Sequence, residues 1–146
     1  MIDPFENDPG YLLRRTSTLA MADFARRLEV LGLRPTEATV LNVIDANPNA
    51  TQSDIGRLLD IATANMAPLV ARLEGRKLIT REAFDGRSHG LTLTSSGRGL
   101  VKQIKKVVSE HRVDLLAKIP ATQHGDFLKS LRAVWEALHA DSGKDK

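Results

Sequence analysis

The feature that most restricts the fold is the stretch 51–94, in which two short helical patterns are followed by a hairpin pattern. Thr51 and Asp54 form a variant of the capping box, because the hydroxyl accepts an amide hydrogen bond and the carboxylate sits in the positive first turn. Apolar residues then recur at spacings of three and four, so this helix is predicted to bury one face. That face consists of Ile55, Leu58 and Leu59.

The second helical pattern begins near Ala62 or Thr63 and ends at Gly75 or the two basic residues after it. Its predicted buried face, again at helical spacing, consists of Met66, Leu69, Val70 and Leu73. The opposite side of its first turns is predicted to be exposed. Pro68 removes an amide donor close to the helix start, so we expect an irregular first turn and not a break.

An extended pattern follows from residue 78 to 84, and Asp85-Gly86 after it is a turn signal. Residues 91–94 alternate apolar and polar side chains, as a returning strand does. Two short helices followed by a hairpin are the layout of a winged helix-turn-helix. In that fold the second helix lies in the DNA major groove, and we call the hairpin beside it the wing.

The exposed N-terminal turns of the second helix are predicted to read DNA bases. Asn65 is the best candidate, because its amide can pair bidentately with adenine, while Ala64 and Ala67 can meet thymine methyl groups. His89 in the hairpin is a candidate phosphate contact, although an exposed or hydrogen-bonded histidine is the common alternative. The residues predicted to contact DNA are Thr63, Ala64, Asn65, Ala67, Pro68, Arg72, Arg81, Arg87, Ser88 and His89.

Positive charge is concentrated in the region where DNA binding is predicted. Residues 51–106 carry ten Lys and Arg against five Asp and Glu, whereas the rest of the chain carries eleven against thirteen. The net charge of the whole chain is only +3. A local surplus favours a polyanionic partner, although charge runs are more often solvated faces, so charge alone does not decide between them.

Five short pieces of the chain form a joint pattern. They are Leu73-Glu74 before a basic turn, Leu78-Ile79, Arg81, Asp85-x-Arg87 and Leu93-Thr94-x-x-Gly97. The pattern resembles the signature of MarR-type regulators, the multiple antibiotic resistance regulator family, and the similarity covers nearly the whole chain. It implies a mainly α fold with a small β-hairpin, that is, a winged helix-turn-helix with N- and C-terminal dimerisation helices.

The resemblance also implies a division of the chain. It implies a single MarR-type domain at 1–146, a winged helix DNA-binding region at 36–94, and dimerisation helices at 10–32 and 95–140. In the family, the aspartate of D-x-R braces the wing and the arginine enters the minor groove. Those roles fall on Asp85 and Arg87, and a narrow A·T minor groove does attract guanidinium. Gly86 stands where the family often has arginine, and no basic residue lies between Ala62 and Val70, so binding is better supported than specificity.

Helical patterns flank the 51–94 stretch on both sides. The first runs from about Tyr11 to Leu31, with an apolar stripe so broad that contact with a second subunit would explain it. The next is predicted to open with Thr36-x-x-Thr39. Two more are predicted after the wing, at about 96–119 and from Thr122 onward.

Arg14 and Arg15 are candidates for binding an anionic ligand, because guanidinium holds a carboxylate or phosphate bidentately. Surface arginines that make salt bridges or border an interface are the alternative. The resemblance favours the ligand, since a helix-one arginine meets the effector in members of the family that respond to aromatic acids. The predicted ligand-binding residues are Tyr11, Arg14, Arg15 and His111.

Several function classes find no support in the sequence. There is no cysteine, so disulfides, thiolate metal sites and cysteine redox sensing are excluded. The four histidines lack metal-ligand spacing, and no phosphate loop, nucleophile elbow or placed carboxylate pair is present, so neither a metal site nor an enzyme is predicted. No signal peptide or long apolar stretch appears, which predicts a cytoplasmic protein without membrane association.

Two functions follow as hypotheses. The first is a homodimeric regulator, a repressor, that leaves a palindromic operator in double-stranded DNA when a small aromatic acid or its coenzyme A thioester binds. It needs no cofactor beyond that effector. The second is a winged-helix module that binds protein and not specific DNA, which the apolar group Ala64, Ala67 and Pro68 would suit.

Overall fold

A computed structural model describes residues 1–83 and 89–142 of the chain. Its helices are α1 (Pro9–Leu28), α2 (Pro35–Ala46), α3 (Gln52–Leu58), α4 (Thr63–Gly75), α5 (Ser95–Leu116) and α6 (His124–Ser142), and its strands are β1 (Ile79–Ala83) and β2 (His89–Leu93). Short 3₁₀ turns at Glu29–Leu31 and Ala121–Gln123 follow α1 and precede α6. The mainly α fold with a two-stranded hairpin, predicted from the sequence, is confirmed.

The chain divides into two compact units, Met1–Ser109 and the remainder from Glu110. The first unit contains the whole hydrophobic core of the described residues, which lies between Leu28 and Ile104. All four residues predicted for the inner face of α4 are buried in it. On α3, Ile55 is buried, but the prediction for Leu58 is wrong, because its side chain is 62% exposed at the C-terminal end of this short helix.

The N-terminus of α2 contains a buried carboxylate that the sequence pattern did not indicate. The helix begins at Pro35, one residue before the predicted Thr36, and Glu37 in its first turn is only 4% exposed. Glu37 Oε2 accepts the backbone amide of Arg34 at 2.8 Å, and Oε1 accepts Nε of Arg72 on α4 at 2.8 Å. A buried carboxylate needs such partners, so this pair fastens α4 to the start of α2.

The hairpin is antiparallel, with Ile79 opposite Leu93 and Ala83 opposite His89. On its other edge β2 is bonded to the segment before α3: the Asn49 amide donates to the Leu91 carbonyl at 3.1 Å. This short third pairing was not predicted. It requires Gly90, because a Cβ there would lie 2.6 Å from the Asn49 backbone.

The turn from β2 into α5 packs tightly on Lys77 and Leu78, the two residues before β1. Thr94 caps α5: its hydroxyl accepts the Gly97 amide at 3.0 Å and donates to the Lys77 carbonyl at 2.7 Å. A Cβ on Gly97 would lie only 2.0 Å from the Leu78 carbonyl oxygen. The glycine of the L-T-x-x-G pattern is therefore required by close backbone approach.

The helices at the two ends leave apolar side chains uncovered. On α1, Leu12, Leu13, Leu19 and Met21 are exposed. In the second unit, α6 has no buried residue and presents a row of large apolar side chains: Phe127, Leu128, Leu131, Val134, Trp135 and Leu138. A groove of about 590 Å³ runs along that row. Apolar patches of this extent on a folded protein indicate a surface that is covered in its working state.

We predict that Gly97→Ala destabilises the protein by more than about 2 kcal/mol, because the new methyl group must push the Leu78 backbone aside. Gly99→Ala, two residues on in the same helix and with nothing near its Cβ position, is the matched control. It should stabilise the protein by about 0.5–1 kcal/mol, through helix propensity alone. Urea unfolding followed by circular dichroism measures both values, and equal effects of the two substitutions would refute the close approach.

Candidate nucleic-acid interface

The turn between α3 and α4 is compact and built from local hydrogen bonds. The predicted capping box is confirmed: the Asp54 amide donates to the Thr51 hydroxyl, and the Thr51 amide donates to the Asp54 carboxylate, both at 3.2 Å. The Thr51 hydroxyl, which donates to Asp54 Oδ2 at 2.7 Å, and the Thr51 amide lower the pKa of Asp54, so the carboxylate is charged at neutral pH. At the other end the Ile61 amide donates to the Gly56 carbonyl at 2.8 Å, which turns the chain into α4.

The first turns of α4 present an exposed surface, as predicted. Every residue that the sequence assigned to this surface is exposed: Thr63, Ala64, Asn65, Ala67 and Pro68. The helix continues through Pro68, and its first turn is tightened, since the Asn65 amide donates to the Ala62 carbonyl three residues back, at 2.8 Å. An exposed N-terminal turn on a second helix is the geometry that a helix-turn-helix offers to base edges.

A polar cleft adjoins this surface at the junction of α3 and α4. It has a volume of about 380 Å³ and is lined by residues from both helices and from the turn: Gln52, Ser53, Gly56, Arg57, Ile61, Ala62, Thr63 and Met66. Hydroxyl, amide and guanidinium groups at its rim are the donors that phosphate oxygens accept in protein–DNA contacts.

Arg72, which the sequence assigned to DNA, has a partner inside the protein. Its guanidinium pairs with buried Glu37, and its side chain is 44% exposed. One turn further on, Arg76 donates to the Gly32 carbonyl at 2.8 Å. Arg72 thus fastens α4 to the first turn of α2, and Arg76, just after α4, fastens it to the chain between α1 and α2. Any phosphate contact by Arg72 stays a prediction and must use N–H groups other than Nε.

Arg81, also assigned to DNA, is held on β1 by an ion pair. Its Nε and Nη2 donate to the two carboxylate oxygens of Glu74 at 2.9 and 3.2 Å, and Nη2 lies 3.4 Å from Gln52 Oε1. Because a bidentate pair compensates the charge, Arg81 offers less to a phosphate than the sequence suggested. Its first role in the structure is to connect α4, α3 and the wing strand.

Three wing residues of the predicted interface lie outside the described residues: Asp85, Arg87 and Ser88. His89 is described and is the first residue of β2, exposed and opposite Ala83. It is therefore at the described end of the hairpin, on a surface that solvent reaches. The brace and minor-groove roles of Asp85 and Arg87 stay predictions.

Three of the four predicted ligand-binding residues fall at one place on α1. Tyr11, Arg14 and Arg15 border a shallow cavity of about 230 Å³, which Thr18 and Leu19 complete. Both guanidinium carbons lie over the Tyr11 ring, at 5.6 Å for Arg14 and 5.3 Å for Arg15. His111 is half-buried on α5 and belongs to the second unit, so its place beside them stays a prediction.

Within residues 1–83 and 89–142, no three His, Cys, Asp or Glu side chains are grouped so that they could hold a metal ion. Over the same residues, no helix combines the length and apolar character that crossing a bilayer demands.

Comparison with known proteins gives consistent matches. The MarR family model matches residues 31–88. The HTH-type transcriptional repressor Rv2887 of Mycobacterium tuberculosis is 29% identical over 127 residues, which cover 86% of this chain and 91% of that protein.

Two solved proteins share the fold over most of their length. The transcriptional repressor CouR, bound to a 23-mer DNA duplex, is 30% identical with a TM-score of 0.80, covering 93% of this chain and 99% of its own. The Rv2887 complex with p-aminosalicylic acid is 28% identical with a TM-score of 0.72, and the match covers 86% of the chain described here and 97% of Rv2887. Rv2887 has also been solved with salicylic acid. The chain described here thus belongs to the MarR family, a family of transcriptional regulators and not of enzymes.

Proposed function

We propose that this protein is a homodimeric transcriptional repressor that binds double-stranded DNA and releases it when a small aromatic acid binds. The observation that carries the DNA half is the exposed N-terminal surface of α4 on a unit whose core is already complete. CouR, a relative with 30% identity and nearly full coverage, is a repressor bound to a DNA duplex.

Affinity and sequence choice have different sources in this proposal. Lys and Arg of the basic stretch 51–106 attract the phosphate backbone, which makes binding strongly salt-dependent. Asn65 and Thr63 read base edges in the major groove, and Arg87 enters the minor groove. The shortage of basic residues on α4 means that much of the specificity comes from few contacts.

The second subunit of the dimer supplies a second α4 surface for DNA binding. The exposed apolar rows of α1 and α6 are surfaces for a second copy of the chain, as the resemblance to the family implies. A two-fold dimer places two α4 helices one turn of DNA apart, which matches a palindromic operator. Because an operator is chromosomal, the site of action is the cytoplasm.

The effector that we propose is a single-ring aromatic carboxylate. Rv2887 has been solved with salicylic acid and with p-aminosalicylic acid. The cavity beside Tyr11 and Arg15 has about 230 Å³, below the roughly 300–1,000 Å³ that is usual for drug-sized ligands. This volume suits one ring and a carboxylate, and a coenzyme A thioester finds no support. Arg15 is the better placed arginine, because its Nη1 donates to the Tyr11 hydroxyl at 2.9 Å.

Release of DNA requires that the acid bind the two arrangements of the dimer with different affinity. The acid would favour a spacing of the two α4 helices that mismatches the operator. The internal bonds of Arg72 and Arg76 make this transmission reasonable, since they tie α4 to the chain that follows α1.

A protein-interaction module is the second candidate. Ala64, Ala67 and Pro68 form a small apolar group at the exposed start of α4, where a partner protein could pack. A mobility-shift assay with the DNA upstream of the gene, at two salt concentrations, separates the candidates. If the protein gives no sequence-specific shift of this DNA at low salt, the DNA-binding function is rejected and the protein-interaction module is the remaining candidate.

We predict that Asn65→Ala relaxes the preference at one base pair of the operator by about 1–3 kcal/mol, because the adenine contact is lost. Arg87→Ala should weaken operator binding and lower the slope of log affinity against log salt by about 1. Quantitative mobility shifts on operator variants, at several salt concentrations, measure both effects.

The matched controls are Asn7→Ala and Arg26→Ala, which lie outside the interface and repeat the same side-chain losses. An Arg87→Ala protein with unaltered affinity would remove the wing from the mechanism. An Asn65→Ala protein with unaltered base preference would remove α4 as the reader.

For the effector we predict that Arg15→Ala raises the salicylate concentration needed to release DNA by about tenfold or more, since a charge-assisted bond to the carboxylate is lost. Arg14→Ala should have a smaller effect, and Arg26→Ala none. Fluorescence anisotropy of labelled operator DNA measures the release. If Arg14→Ala and Arg15→Ala both respond like the native protein, the arginine assignment is wrong.

A further inference from the structure

The N-terminal segment, residues 1–8, folds back onto the two residues at the centre of the proposed ligand site. Asp3 Oδ2 accepts the Tyr11 hydroxyl at 2.9 Å and lies 3.4 Å from Arg15 Nη1. Arg15 and Tyr11 are also bonded to each other. A carboxylate from the chain itself therefore occupies the donors that would receive the carboxylate of an acid.

An aromatic ring accompanies that carboxylate. The Phe5 ring centroid lies 5.7 Å from that of Tyr11, with the planes inclined by 44°. The Phe5 amide donates to Asp3 Oδ1 at 3.0 Å, which holds the carboxylate and the phenyl ring together. Bonds from the Phe5 amide and the Tyr11 hydroxyl, with the charge of Arg15, lower the pKa of Asp3, so this group is anionic at neutral pH.

A carboxylate and a phenyl ring held side by side reproduce the chemistry of an aromatic carboxylic acid. We infer that Asp3 and Phe5 occupy the effector subsite on Tyr11 and Arg15 and must leave before an acid can bind there. The inference rests on the proposed effector class. It makes Asp3 and Phe5 determinants of ligand affinity. When the chain itself occupies a site, the apparent affinity equals the intrinsic affinity multiplied by the fraction of molecules whose site is unoccupied.

If Asp3 competes with the acid, its removal raises ligand affinity, whereas if Asp3 helps to build the site, its removal lowers ligand affinity. The contacts of Asp3 are on the surface, where ion pairs are weak, so the segment lowers the apparent affinity for the acid without excluding it. Removing Asp3 should tighten binding of an anionic acid. It should tighten binding of a neutral ring of the same shape by a similar factor, because the ring enters the same vacated subsite.

The experiment is isothermal titration of the full chain with salicylate and with salicylamide, comparing the native protein with Asp3→Ala. We expect Asp3→Ala to bind salicylate and salicylamide each about three- to tenfold more tightly. Glu6→Ala is the matched control, because it removes the same charge from the same exposed segment without touching the bonds of Tyr11 and Arg15. Its salicylate affinity should equal that of the native protein within about twofold.

Results that differ from these expectations overturn either the competition by Asp3 or the proposed effector class. Equal salicylate affinity of Asp3→Ala and native protein removes the competition and leaves the effector class standing. Weaker binding by Asp3→Ala shows that Asp3 builds the site, which contradicts the inference. An equal gain in Glu6→Ala, or a gain for salicylate with none for salicylamide, reduces the effect to charge and contradicts occupation of the subsite. If no variant binds salicylate, the proposed effector class fails, and the competition fails with it.

Discussion

The burial of one face of α4 is the constraint on which the rest of the structure depends. Met66, Leu69, Val70 and Leu73 enter a core that is closed by residues between Leu28 and Ile104. Once that face is fixed, helical geometry dictates that the residues between them at the N-terminal end point outward. The reading surface is thus a consequence of core packing. The apolar rows of α1 and α6 take no part in this closure and remain available to a second chain.

Polar contacts then fix the direction of α4 within that core. The pair of Glu37 with Arg72 attaches α4 to the first turn of α2, and the bond from Arg76 to Gly32 attaches its end to the chain between α1 and α2. Apolar packing is non-directional, whereas an ion pair to a buried carboxylate has a narrow geometry, and the loss of Arg72 would leave Glu37 buried without its ion-pair partner. The same contacts bring the proposed ligand site on α1 and the DNA-reading helix into one continuous structure within the first unit.

Local spacing predicted what local physics controls. The capping box of Thr51 and the inner face of α4 both followed from neighbouring residues. Ion pairs between different elements were not predicted. Buried Glu37 on α2 pairs with Arg72 on α4, thirty-five positions away, and Arg81 on β1 pairs with Glu74 on α4 across the turn that joins α4 to β1. The prediction for Leu58 failed because α3 buries only Ile55 and Gly56, and Leu58 lies exposed at the C-terminal end of the helix. Asp3 lay in a polar terminus that gave no periodic signal.

The central claim is that a complete reading unit is carried on helices whose exposed apolar faces pair with those of a second copy. Sedimentation equilibrium of the full chain, at the micromolar concentrations where DNA binding is assayed, tests it most directly. The account predicts a species of about twice the chain mass of 16.0 kDa. A single species of 16.0 kDa throughout that concentration range would contradict it.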